Sequence, residues 1–494
     1  MPKYIFFTGG VVSGLGKGIT AAALGRLFKA RGFKVDVLKL NPYFNVDSTT
    51  LSPCYHGEVY ITEDGRATDF LTGHYERILG ENLAAYNDVT SGEIYSAVIE
   101  RERGNTYGGV TVQVVPHVTD EIKKRINSVC NGDKDVIIIE VGGTVGDIEA
   151  QPFMEALRQL KVDFGKSNVA YVHVSLVPFI DVSGEQKTKP TQHSVKELQN
   201  LGIQPDVIVC RSQYSMNKET RDKLAQFCNV DKDCVVESLF TNSIYDIPLR
   251  LEDDGLCKVL IRRLKMEDRE PDLASWRGLC ERIERVALSD KKVRIGLVSR
   301  LASNYEAHIS VREALFFAGL YQDTGVEIVE IAEYKEDILK NLDGIVITQE
   351  LHDCELKIKT AKFAQKRDVP ILLLGDACVY GIGGLDYDLV IKQAKSCKAS
   401  RCGALKTKVI SSDSILHKVY GGEAVERHIN HIDLKAEQLD KGLIPSGLSA
   451  DGHIHAYESK NHRFYAGVMF LPQFSTTAEK PNKLMVEFIK SMHN

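Results

Sequence analysis

The chain has 494 residues, a formal net charge of −5 and 43% hydrophobic residues, enough for two or three globular domains. The slightly acidic balance gives no electrostatic footprint for DNA or RNA, and no apolar run approaches the ~20 residues of a membrane span. Eleven scattered cysteines without a CxxC pair read as reduced thiols of a cytoplasmic protein and supply no zinc site. No signal peptide precedes the first predicted strand.

That strand is Tyr4–Thr8. It feeds a glycine-rich turn running through Gly9, Gly10, Gly14, Leu15, Gly16, Lys17, Gly18 and Ile19, and a helical pattern follows from Ala21 to Leu27. Glycines let a backbone turn sharply and aim its N–H groups inward. A helix N-terminus adds partial positive charge and Lys17 a full one, so the segment can cradle phosphates. An ordinary βα turn would also be rich in glycine, but a lysine in this place, opening a long α/β pattern, favours phosphate. The loop is not a standard Walker A. Gly10 stands one residue too far from Gly16-Lys17, and Gly18 replaces the Ser or Thr whose hydroxyl normally holds Mg²⁺. The metal must then be held largely by carboxylates elsewhere in the chain.

Further strands are predicted at Val35–Lys39, Asp135–Glu140, Ala170–Ser175 and Val207–Cys210, alternating with helical patterns. This is the signature of a parallel sheet covered by helices. Glu140 closes an apolar strand, the usual address of a Mg²⁺ carboxylate, and Gly142-Gly143 beside it favours a site over a plain strand-end acid. From Leu264 to about Asp290 the chain turns charged and reads as a linker. A second α/β pattern begins at Val293–Val298 and continues with Leu342–Thr348, Pro370–Gly375 and Phe464–Phe470. The expected division is 1–265, a linker at 266–290, and 291–494.

Several segments of the first half read together: Leu15-Gly16-Lys17-Gly18, Ser52-Pro53, His56-Gly57-Glu58-Val59, Gly73-His74-Tyr75-Glu76-Arg77, Glu140 to Glu149, and Lys187 to Leu198. This set closely resembles the CTP synthase family, and the likeness continues more weakly to the C-terminus. The resemblance implies a P-loop-type, parallel-sheet amidoligase domain followed by a second α/β domain of the class I glutaminase type. In such proteins ATP phosphorylates the 4-oxygen of UTP, ammonia displaces the phosphate to give CTP, and the second domain releases ammonia from glutamine. It also implies tetramers, and in many members filaments. Carried over residue by residue, Lys17 and Lys39 are the catalytic lysines. Gly14 to Ile19 hold ATP. Ser13, Asp147, Ile148, Glu149, Lys187, Thr188, Lys189, Gln192 and Lys223 hold UTP or CTP, and Glu140 holds Mg²⁺.

Departures from the family pattern are as informative. Where relatives read Asp-Leu-Asp-Leu-Gly, this chain reads Asp69-Phe70-Leu71-Thr72-Gly73, so a metal-binding aspartate falls on Leu71. A leucine cannot ligate a hard cation. Asp69, two residues away on a segment read as extended, points the same way and is the candidate substitute. Asn41 and Thr106 replace two further acids.

The second half has lost more. The nucleophilic Cys of the Gly-x-Cys-x-Gly elbow falls on Gly375, and nearby Cys378 reads as a buried structural thiol. The base His falls on Leu471 and its orienting Glu on Gln473, within Phe470-Leu471-Pro472-Gln473-Phe474. The oxyanion strand is Thr348-Gln349-Glu350-Leu351-His352, and the arginine-rich motif is Arg427-His428-Ile429-Asn430-His431. No glutamine hydrolysis is expected. Two readings follow: a UTP–ammonia ligase using ATP, Mg²⁺ and free ammonia, or a non-catalytic homologue that binds UTP or CTP and assembles with an active paralogue. A different P-loop amidoligase or ATPase fits less well with the Lys187–Leu198 run.

Overall fold

A computed structural model describes residues 1–129, 133–301, 303–350, 353–382 and 401–493. They form two compact units: Met1–Asp47 with Tyr86–Arg277, and Ser48–Ala85 with Gly278–Asn494.

The first unit is built on seven parallel strands: β1 Lys3–Gly9, β2 Val35–Asn41, β3 Asp88–Thr90, β4 Val136–Val141, β5 Val169–Val177, β6 Val207–Ser212 and β7 Val235–Leu239. Their order is β7-β6-β5-β1-β4-β2-β3, and every pairing is parallel. Runs such as Val136-Ile137-Ile138-Ile139 are buried on both faces, which is why they read as continuous apolar stretches rather than alternating ones. Helix α1, Lys17–Ala30, starts at the carboxyl end of β1, and α2, Lys189–Asn200, and α3, Lys218–Cys228, follow β5 and β6. From β1 the chain runs out to one side through β2 and β3 and, after β4, to the other side through β5, β6 and β7, so the sheet has a switch point there. A crevice at the carboxyl edge beside such a point is the usual ligand position of open α/β sheets.

The stretch expected as a linker, 266–290, contains regular structure and holds the boundary between the two units, at Arg277/Gly278. Residues Ala274–Ala287 form a helix, α4. Its charged surface hides a narrow stripe of buried residues, Leu273, Trp276, Cys280 and Val286, whose helical spacing a composition reading misses. Trp276 is fully enclosed, its indole N–H donates to Tyr245 O at 2.8 Å, and the Arg26 guanidinium lies 4.6 Å over its ring.

The second unit carries β8 Lys292–Val298, β9 Gly325–Ile331, β10 Gly344–Ile347, β11 Ile371–Leu374, β12 Arg401–Val409, β13 Glu423–Asn430, β14 Leu443–Leu448, β15 Ile454–Ser459 and β16 Tyr465–Val468. The order is β9-β8-β10-β11-β16-β15-β14-β12-β13. Pairings are parallel from β9 to β16 and antiparallel beyond.

Residues 48–85, expected in the first domain, pack with this second unit instead. The reason is a buried polar network. Arg427 Nη2 lies 2.8 Å from the Glu76 carboxylate. Its Nη1 donates to Tyr60 Oη at 2.9 Å and to Ile61 O at 3.0 Å, and Tyr60 Oη donates to Glu76 at 2.6 Å. The Tyr60 ring sits 4.6 Å from that of Phe474. Glu58 accepts from the Ser310 backbone N–H at 3.0 Å and from the Ser310 hydroxyl.

Burial pushes the Glu58 carboxyl from 4.5 up to about 7, against the downward pull of Ser310 and Arg77. A folded value above the unfolded one means that the protonated form favours folding. That contribution is complete below about pH 4.5 and is lost as pH rises through about 7. Glu58→Gln is therefore expected to remove a loss of about 3 kcal/mol between these pH values. Denaturant unfolding of wild type and variant across that range measures it, and an identical pH slope in both would exclude Glu58 as its source.

Candidate active site

The carboxyl edge of the first unit gathers the residues that the sequence singled out. After β1 the backbone enters the left-handed region at Val11, Gly14 and Gly16, with φ of 80°, 70° and 88°. Gly16 caps α1, and Lys17 is its first residue. The Lys17 stem lies under the turn: a Cβ on Gly9 would fall 2.4 Å from Lys17 Cδ. Its Nζ donates to Gly143 O at 2.7 Å. Burial lowers the Lys17 pKa, Glu140 raises it, Lys39 lowers it and Asp147 raises it, so these four groups share one local field. Lys39 and Glu140 are direct partners in the β2–β4 register, and both are at least 95% buried. The Thr20 hydroxyl, one turn into α1, donates to Gly16 O at 2.8 Å and so is engaged with backbone.

The expected triphosphate residues lie along α2 and the loop after β4. Lys189 opens α2 after Thr188, and the buried Gln192 donates to the Thr188 hydroxyl at 3.0 Å. Lys187 pairs with Glu185, whose carboxyl is drawn below its ordinary value first by Lys187 and to a smaller degree by Lys223 on α3. Lysines 187 and 223 therefore act on the same acid. Asp147 accepts the Thr144 N–H at 2.6 Å, while Ser13, Ile148 and Glu149 are exposed.

The backbone around Asp69 differs from the sequence expectation. The segment is not extended at this point: Phe70 is already helical, at φ −62° and ψ −19°, and Leu71–Leu79 is a helix. Asp69 Oδ1 accepts the Leu71 N–H at 2.9 Å, and both residues belong to the second unit. Two residues that motif reading passed over belong beside the loop. Arg211, at the end of β6, brings its Nε to 3.8 Å from the place of a Cβ on Gly16, and that buried Nε has no hydrogen-bond partner among the described residues. His173, inside β5, bonds to Thr8. A lone Arg or His in an apolar strand carries no sequence signal of this.

In the second unit β11 turns at Gly375, with φ +57°, into a 3₁₀ segment ending at Gly381. This strand–turn–helix elbow is the shape that presents a nucleophile, but the residue at its apex has no side chain. A Cβ there would lie 3.1 Å from Leu471 Cδ2 and 3.1 Å from Gln349 Cβ, so the hydrocarbon of these two side chains is pressed against the elbow. Gln473 is buried, and its Oε1 has no hydrogen-bond partner among the described residues. Cys378 is fully enclosed, its thiol donates to Leu373 O at 3.5 Å, and burial drives its pKa well up. A thiol held protonated is not a nucleophile. Asp376 accepts from the backbone N–H and from Nδ1 of His431, both at 3.0 Å. Burial would raise the Glu350 carboxyl, but His308, Lys357 and Thr348 hold it at about 2. Leu351 and His352 lie outside the described residues.

Residues 3–266 match the CTP synthase N-terminus family. The CTP synthase of Pelotomaculum thermopropionicum is 43% identical over 529 residues, covering 99% of this chain and 98% of the relative. The chain belongs to the CTP synthase family. The CTP synthase of Methanocaldococcus jannaschii is 41% identical, covering 99% and 98%. Among solved structures, the glutaminase domain of Trypanosoma brucei CTPS with bound acivicin aligns with 41% of this chain and 94% of its own at 18% identity. Its TM-score of 0.35 is too low to carry an argument.

CTP synthases convert UTP to CTP and are ligases that form a C–N bond. Within that family, the departures of this chain now have local settings. Asn41 is buried and donates to Asp88 at 2.5 Å. Thr106 lies in the exposed turn after the helix Ser91–Arg103. Among the described residues no helix is long and apolar enough to cross a membrane.

Proposed function

We propose that this protein makes CTP, ADP and phosphate from UTP, ATP and free ammonia, and does not release ammonia from glutamine. The carrying observation is a contrast between its two sites. Lys17, Lys39, Glu140 and Asp147 converge at one sheet edge, while the elbow of the second unit is a glycine packed by Leu471. Lys17 and Lys39 hold and neutralise the ATP phosphates as point charges. Lys187, Lys189, Gln192 and Lys223, with Ser13, Thr188, Asp147, Ile148 and Glu149, seat the UTP triphosphate and so aim the uracil 4-oxygen at the γ-phosphoryl group. Positioning and charge neutralisation are most of what phosphoryl transfer needs.

Mg²⁺ fits this donor set through Glu140. The ion commonly takes one or two protein carboxylates and completes its octahedron with phosphate oxygens and water. When bound, it neutralises charge on the transferring phosphoryl group.

A second reading, a nucleotide-binding subunit that assembles as a homotetramer or with an active paralogue, draws on Leu71 and on the engagement of Asp69 with the Leu71 N–H. One assay separates the two. With UTP, ATP, Mg²⁺ and high ammonium, CTP is expected by absorbance; with glutamine in place of ammonium, neither CTP nor glutamate is expected. Glutamate release would refute the loss of the glutaminase, and nucleotide binding without CTP would favour the second reading. Leu71→Asp is expected to raise Mg²⁺-dependent turnover several-fold.

A further inference from the structure

Between the strand that leads into the phosphate loop and the helix expected to hold UTP runs one buried hydrogen-bond chain. Thr8, on β1, is the register partner of His173 on β5. Its Oγ1 lies 2.9 Å from His173 Nδ1, and His173 Nε2 lies 2.8 Å from the Ser194 Oγ of α2. Thr8 and His173 are fully enclosed, and Ser194 nearly so. The loop backbone rests on the far end of the chain: a Cβ on Gly10 would fall 1.5 Å from Ser194 Oγ and 3.4 Å from His173 Nε2. The α2 helix is tied to β5 a second time, by Thr191 Oγ1 donating to Leu176 O at 2.8 Å.

We propose that His173 is a positioning residue that couples occupation of the ATP loop to occupation of the UTP helix. Burial first, and then the charge of Lys17, hold its pKa down at about 3, so the ring stays neutral at any working pH. A neutral imidazole donates from one nitrogen and accepts at the other. The orientation of the Ser194 hydroxyl therefore fixes the tautomer, and the tautomer fixes the orientation of the Thr8 hydroxyl. A nucleotide that shifts α2 or reorients Ser194 thus acts on the strand that carries Gly9 and Gly10, and the reverse holds by thermodynamic linkage.

The coupling rests on the nucleotide assignment above, and the test separates the two. Calorimetry measures Kd for a non-hydrolysable ATP analogue with Mg²⁺, with and without UTP, for the full-length wild type, His173→Phe, Thr8→Val and Ser194→Ala. Melting curves fix a temperature at which each is fully folded. In the wild type, UTP is expected to change the analogue Kd about fivefold or more. In each variant the ratio should fall to near one, and Thr8→Val combined with Ser194→Ala should lose nothing further. If His173→Phe fails to fold, the two single hydroxyl deletions carry the test alone. A wild-type ratio of one, or a ratio retained in the hydroxyl variants, overturns the coupling while leaving the nucleotide sites standing. Equal weakening of both nucleotides at an unchanged ratio overturns it too, as a purely structural effect. Wild type that binds neither nucleotide overturns both.

Discussion

Lys17→Ala is expected to lower ammonium-dependent CTP formation by about 10²–10³-fold, the usual cost of removing one preorganised charge partner from a reacting group. The side chain has no surface role to lose. It is 8% exposed, its stem fills the space beneath Gly9, and its ammonium group already faces the backbone oxygen of Gly143 at 2.7 Å. Removing it leaves Lys39 as the remaining cation of the Glu140 and Asp147 group, so incoming phosphates meet a less positive edge. Lys17→Arg should not restore activity, because a planar fork of donors does not reproduce the compact point charge that reaches Gly143 O at 2.7 Å. CTP followed by absorbance, with a melting curve of the variant as control, reads the effect. Turnover within a fewfold of wild type would place the ATP phosphates elsewhere.

Arg427→Ala should have the largest effect on stability, about 3–5 kcal/mol, because it leaves the Glu76 carboxylate buried without its cation. Glu76 is 2% exposed and, among the described residues, keeps Tyr60 and the Leu83 N–H as hydrogen-bond partners. Replacing both members by apolar residues, Arg427→Met with Glu76→Leu, should recover most of the loss, since a buried pair and a packed hydrocarbon are often close in free energy. Chemical denaturation reads both variants. A double variant as unstable as Arg427→Ala would show that Arg427 supports the unit through Ile61 and Asn82 rather than through Glu76. The arginine belongs to the arginine-rich motif of the second half, and here it holds residues 48–85 to the second unit. A role of this kind gives a physical reason to keep Arg427 that is independent of any glutamine chemistry.

Much of the site was legible because it depends on local order. A glycine turn ending in Lys17, an apolar strand ending in Glu140 and the Lys187–Leu198 run are all short patterns whose chemistry is written in adjacent residues. The substitutions at Gly375, Leu471 and Gln473 were legible for the same reason: a residue type either can or cannot take a proton. The helix Ala274–Ala287 was missed because its buried stripe is one residue per turn amid charge. The setting of Asp69 was missed because the start of a helix depends on a few backbone angles that composition does not encode.

The sequence by itself therefore determined the two α/β patterns, the glycine turn that opens on Lys17, and that Gly375, Leu471 and Gln473 bring side chains unable to serve as nucleophile, base or acid. Only the tertiary structure decided that residues 48–85 pack with the second half, that Leu471 fills the space beside Gly375, and that Arg211 and His173 stand beside the loop. These are contacts between residues up to hundreds of positions apart. Their energies come from burial and from pairing of charges, and a chain read in order carries no local trace of which distant partner will be met.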